Sequence, residues 1–114
     1  VQRPKDVLSF YNTGFEGLFH VLGGVLSPLD QIGPDNLNIK ELLVRVDDSI
    51  KEVIIATDTS LEGDTTSMYL ADLLNKLEYE FKITRLARGI PIGGQFEYID
   101  ELTLSRALTE RIEI

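Results

Sequence analysis

Three carboxylates, Asp58, Glu62 and Asp64, fall within seven positions directly after the apolar run 53–56. Oxygen donors at that density are the ligand type taken by hard divalent cations such as Mg²⁺. The unbroken apolar run reads as a parallel strand covered on both faces, and open α/β sheets carry their sites at the carboxyl ends of such strands. Metal-assisted chemistry is therefore one reading of these acids. The other is structural. Thr59-x-x-Glu62 matches a capping box, in which Glu62 closes a helix N-terminus at roughly 1 kcal/mol. Asp64 in the first turn is favoured by the helix dipole at roughly 0.3–1 kcal/mol. Asp58 has no comparable structural role, because an acid directly after a buried strand needs a partner or solvent.

The elements that position these acids can be read from periodicity. Val7, Leu8 and Tyr11 at helical spacing predict a helix over 5–12, with Pro4 in its first turn and Gly14 as its stop. The apolar and aromatic run 17–22 reads as a strand. Residues 23–38, with Ser27-Pro28 and Gly33-Pro34, read as a long ordered loop of the kind that serves function or packs at an interface. Ile39, Leu42, Leu43 and Val46 predict a short amphipathic helix over 39–46. After the strand 52–57, Leu70, Leu74 and Leu77 form one face of a helix over 62–77. A further strand is expected at 80–87, an interruption at 89–94, and a final helix carrying Leu104, Leu108 and Ile112. Strands alternating with helices imply an α/β layer fold with a mainly parallel sheet, in which 52–57 lies centrally.

Bulk composition sets the bounds. The 114 residues suffice for one domain with a modest core, and no stretch approaches the roughly 20 apolar residues of a membrane span. With no cysteine and one histidine, neither a disulfide frame nor a zinc site can form within these residues. Nineteen acids against 11 Lys and Arg give a net charge of −8, so the chain offers no broad electrostatic footprint for nucleic acid. Val1-Gln2-Arg3-Pro4 carries neither a signal sequence nor an initiating Met, and the chain is expected to be part of something longer.

The stretch from 53 to 64 resembles the Toprim motif of topoisomerases, primases and certain repair proteins: an apolar strand ending in Ala-Thr-Asp-x-Asp, then Glu-Gly-Glu. Asp58 matches the first aspartate, Glu62-Gly63 the Glu-Gly, and Asp64 stands for the last Glu; Ser60 replaces the second aspartate. Three further segments narrow the resemblance. They are Phe19-His20-Val21-Leu22-Gly23-Gly24 running on to Gly33-Pro34, Leu86-Ala87-Arg88-Gly89-Ile90-Pro91-Ile92-Gly93-Gly94 running on to Asp100, and Leu102-Thr103-Leu104-Ser105-Arg106-Ala107-Leu108. In that order they are similar to the bacterial RecR family of recombination mediators. The resemblance implies a Toprim domain over 1–88 and a C-terminal segment over 89–114 that packs on it or serves self-assembly. It implies work with RecO, and with RecF in some settings, to help load RecA on single-stranded DNA gaps, and assembly of the full-length protein into a DNA-encircling ring. It also implies a cytoplasmic, nucleoid-associated location. The family's helix-hairpin-helix and four-cysteine zinc motif precede the Toprim domain, so zinc and most DNA contact are expected outside these residues.

Catalytic Toprim domains also use a glutamate at the end of the first strand as general acid or base. The matching position here is Gln2, which cannot exchange a proton near neutral pH. Gln2 and Ser60 thus remove two acids from the implied metal site, leaving Asp58, Glu62 and Asp64 to hold at most a weakly bound, largely hydrated Mg²⁺. The expectation is a noncatalytic interaction domain that requires no cofactor. The alternatives are a Mg²⁺-dependent phosphoryl-transfer or DNA-nicking enzyme, and direct DNA binding. Arg85, Arg88 and Arg106 are candidates for a surface facing a partner or DNA, with scattered solvated arginines as the competing reading. His20 in an apolar run reads as a satisfied structural histidine. Gly93-Gly94 lacks the Gly-Lys-Ser/Thr ending of a phosphate loop and reads as a backbone turn.

Overall fold

The computed structural model describes residues 1–87 and 95–114; the interruption expected at 89–94 and Arg88 lie outside the described residues. Among the described residues the chain forms α1 (Pro4–Phe10), α2 (Ile39–Arg45), β1 (Glu52–Ile55), α3 (Leu61–Asn75), β2 (Lys82–Arg85) and α4 (Glu101–Thr109), with 3-10 turns at Pro34–Asn36 and Phe96–Tyr98. The two strands pair in parallel, Glu52 opposite Lys82 through Ile55 opposite Arg85, with α3 as the crossover. The α/β alternation expected from the sequence is therefore present. Each of the helices read from periodicity forms, within a few residues of its expected bounds.

The core gathers Leu22, Leu37, Ile39, Val46, Ile55, Leu70 and Leu74, with Val53 and Ile83 packed against it. This places α3 and the α2 region over the Val53/Ile55 face of β1. The other face is open: Ile54 is 40% exposed against 7% for Ile55, and Glu52 there accepts a 2.7 Å hydrogen bond from the Thr84 hydroxyl. The reading of β1 as covered on both faces and central is corrected on this point. Among the described residues its sheet has two strands, and burial alternates along it.

Residues 17–22 do not form a strand. Their polar backbone groups are met one at a time instead of by a ladder. The N–H groups of Leu22 and Gly23 donate to the carbonyls of Val1 and Gln2 at 2.9 and 2.8 Å, and the Asn38 N–H donates to Leu22 O at 2.9 Å. Asn38 Nδ2 donates to Val21 O and Arg45 to Phe19 O, each at 3.0 Å. The long loop is ordered as expected, pinned by a Ser27–Ile32 bridge and by Thr66, fully buried in α3, whose hydroxyl accepts from the Leu26 N–H at 2.9 Å and donates to Glu62 O at 2.7 Å.

The last helix ends short of its expected span, at Thr109. Helix α4 buries no residue; Leu108 is 67% exposed, and Ile112 lies beyond the helix end at 90%. Among the described residues, an ion pair between Arg106 and Asp64 ties α4 to α3.

Candidate functional site

Both parallel strands end at the same edge, and the first turns of α3 rise beside them. Between them lies a cleft of about 100 Å³ lined by Ile55, Thr57, Asp58, Asp64, Ser67 and Arg85, among others. Asp58 and Asp64 are thus brought to one place. Glu62 is not: it stands on the exposed side of the first turn of α3 and does not line the cleft.

The turn that aims these residues depends on the small residues between them. Ser60, at the position where the Toprim pattern has its second aspartate, is the N-cap of α3, and its hydroxyl accepts from the Gly63 N–H at 3.0 Å. The cap is one residue later than the Thr59-x-x-Glu62 reading placed it. A hydroxyl at the N-cap satisfies a helix donor as well as a carboxylate does, so the serine serves the helix without adding a charge. Gly63 is pressed against the strand end: a Cβ there would lie 2.0 Å from the Asp58 carbonyl oxygen. The Thr57 hydroxyl closes the same turn with a 2.9 Å bond to Gly63 O.

The Asp58 carboxylate is engaged from α1's approach. One guanidinium nitrogen of Arg3 lies 3.0 Å from each of its oxygens. Gln2, 5% exposed, clamps the same residue twice. Its Oε1 accepts from the Asp58 N–H, and its Nε2 donates to Asp58 Oδ2 at 3.3 Å. Arg3 is itself held by Asp6, whose carboxylate accepts from the Arg3 N–H at 2.9 Å and from its Nε at 3.3 Å. Burial pushes the Asp6 carboxyl up, but hydrogen bonds from the Arg3 side chain and backbone, with the Arg3 charge, outweigh it and hold it below its ordinary value. Arg3 is raised, chiefly by its side-chain hydrogen bond to Asp6.

Asp64 is paired with Arg106, both side chains at most one-quarter exposed. The Arg106 guanidinium is thus engaged by Asp64 and one-quarter exposed. Arg85 lines the cleft beside the two aspartates. His20 is satisfied at both ring nitrogens, with Nε2 2.7 Å from Asn38 O and Nδ1 2.9 Å from an Arg45 nitrogen.

The residues present do not fit a Mg²⁺ ion. Mg²⁺ needs near-octahedral oxygen donors and gives up water reluctantly. The two carboxylates at the cleft each carry a guanidinium, the third acid faces away, and among the described residues no three His, Cys, Asp or Glu side chains converge on one point. Sequence reasoning singled out the acids and saw that Gln2 and Ser60 were neutral. It missed Arg3, because an arginine 55 residues from its aspartate leaves no spacing to read. The one local signal was Asp6, three residues on across Pro4.

Two family profiles together span nearly all of the chain: one described as Toprim domain matches residues 1–87, and one described as RecR, C-terminal, matches residues 89–112. The chain is 52% identical to Recombination protein RecR of Chloroherpeton thalassium, covering all of this chain and 58% of that protein. It is 52% identical to that of Acidothermus cellulolyticus, over all of this chain and 57% of the relative. With the Streptomyces coelicolor protein the figures are 50% identity, 97% and 56%. The chain thus spans a little under three fifths of the curated relatives it matches. A Toprim α/β fold followed by a RecR C-terminal segment, at about half identity across its length, places this chain in the RecR family of recombination proteins.

Proposed function

We propose that this chain is the noncatalytic Toprim portion of a DNA repair and recombination mediator, acting by contact with partner proteins. The full protein would work with RecO, and with RecF in some settings, to help load RecA on single-stranded DNA gaps. It would self-associate into a ring, contact DNA mainly through regions outside these residues, and act in the cytoplasm at the nucleoid. The observation that carries the noncatalytic reading is the state of Asp58: the acid most suited to a metal is bound by Arg3 and clamped by a neutral Gln2. A general acid or base must exchange a proton at the reacting group, and position 2 holds an amide. The 1–88 part supplies the cleft and the 89–114 segment a surface for packing or self-association. No helix among the described residues is long and apolar enough to cross a membrane.

Two assays on the wild-type protein test this reading. Incubation with supercoiled plasmid and Mg²⁺ should leave the plasmid intact, and immobilised protein should retain RecO. Nicking that requires Mg²⁺ would sink the noncatalytic reading in favour of phosphoryl transfer. Failure to retain RecO, in a full-length protein shown to be folded, would sink the partner assignment.

A further inference from the structure

The backbone before α1 is built to deliver a cation to Asp58. Pro4 occupies the first turn of α1, and Arg3, the N-cap, is extended at φ −127° and ψ 153°. Asp6 fixes the root of the Arg3 side chain through its N–H and Nε and also meets the far nitrogen at 3.3 Å. The guanidinium tip then reaches both oxygens of Asp58 at 3.0 Å. Gln2 completes the arrangement in a way that a glutamate could not. A carboxylate there would accept only, and would set a second anion against Asp58, whereas the amide donates to Oδ2.

We propose that Arg3 is a built-in counter-cation that occupies the divalent-metal position at Asp58, so that the chain binds no divalent ion in this cleft while Arg3 is present. The idea deepens the noncatalytic reading and rests on it. A Mg²⁺ ion approaching Asp58 must shed water and also displace a cation covalently tethered and restrained by Pro4 and Asp6. A tether of that length holds its charge at high effective concentration, which a freely diffusing ion at millimolar levels does not match. The other carboxylate of the cleft, Asp64, is meanwhile paired with Arg106. Removing the Arg3 charge leaves Asp58 as an unneutralised, half-exposed anion in a chain of net charge −8, and a divalent cation from solution then meets it through this one carboxylate, keeping most of its water.

Mn²⁺ titration followed by paramagnetic broadening of the amides around Asp58 tests this. Wild type should show no saturable broadening there, and Arg3→Gln should bind Mn²⁺ at least about tenfold more tightly at that position. Equal affinity in the two proteins would overturn the proposal, as would the absence of binding in a folded Arg3→Gln. A measurement on wild type covers the case in which the variant does not fold. The Arg3 guanidinium resonances should be unmoved by millimolar Mg²⁺, and their displacement together with the Asp58 carboxyl signal would show that metal wins over Arg3. Neither readout involves plasmid nicking or RecO capture, so this inference and the noncatalytic reading can fail separately.

Discussion

Two single residues near the cleft carry sharp expectations. Helix propensity alone favours Ala over Gly inside a helix by about 1 kcal/mol. At Gly63, however, a methyl would lie 2.0 Å from the Asp58 carbonyl, and overpacking against backbone costs typically about 1–3 kcal/mol. The clash decides the sign: Gly63→Ala should destabilise, read as a lower urea midpoint, and an unchanged or higher midpoint would refute the close packing. Thr66 is fully buried and holds the loop at Leu26. Thr66→Val keeps the shape but orphans the Leu26 N–H, so a loss of about 1–3 kcal/mol is expected, whereas Thr66→Ser should retain most of the stability. At His20 the geometry fixes the tautomer. Arg45 can only donate, so in the neutral ring Nδ1 accepts and the proton sits on Nε2 facing Asn38 O; nitrogen shifts of the neutral imidazole should show the Nε2–H form, and the Nδ1–H form would contradict it. The sequence marked Gly63 and His20 as worth attention but could not supply these reasons, since the atoms that constrain them come from the strand end and from α2.

At the level of elements, periodicity located α2, α3 and both strands because each presents an apolar face to the same core. It failed at 17–22, where an apolar run reads alike whether its backbone joins a ladder or is met by separate donors such as Asn38 and Arg45. It also carried the last helix too far, since Ile112 lies beyond the end of α4 at Thr109. Helix α4 also has a capped first turn and an ion pair to α3. Asp100 is its N-cap, accepting from the Thr103 N–H at 2.9 Å. Hydrogen bonds from the Thr103 side chain and then its backbone hold the Asp100 carboxyl below the ordinary value of 3.8. A carboxyl lowered in the folded state contributes stability that is fully present above 3.8 and is lost as pH falls through its depressed value. The first turn of α4 should therefore stay protected from amide exchange at neutral pH and loosen in that acid window, while Asp100→Asn should remove this pH dependence. Loosening that begins well above pH 4, or that persists in the variant, would assign the effect to another group.

For the molecule as a whole, the net charge of −8 was legible from composition, but how the positive charges are used was not. Arg3 and Arg106 reach aspartates 55 and 42 residues away, separations that no motif encodes. Arg45 is committed to Phe19 O and His20, and Arg111 to Leu108 O. Arg85 faces a cleft that also contains two aspartates. Among the described residues, then, these arginines serve internal contacts or an acidic cleft, not a surface held open for a phosphate backbone. Non-specific DNA affinity comes from the counterions released when Lys and Arg neutralise phosphates, with a slope of log affinity on log salt of about −0.9 per contact on duplex and about −0.7 on single strands. For this chain alone the number of such contacts should be near zero. Neither duplex nor single-stranded DNA should shift in a mobility assay at low salt, and fluorescence anisotropy should give a flat salt response. A slope steeper than about −1 would mean that at least one phosphate contact forms; Arg85 would be the first residue to replace in seeking it. A flat response would leave DNA contact to regions outside these residues and this chain to contacts between proteins.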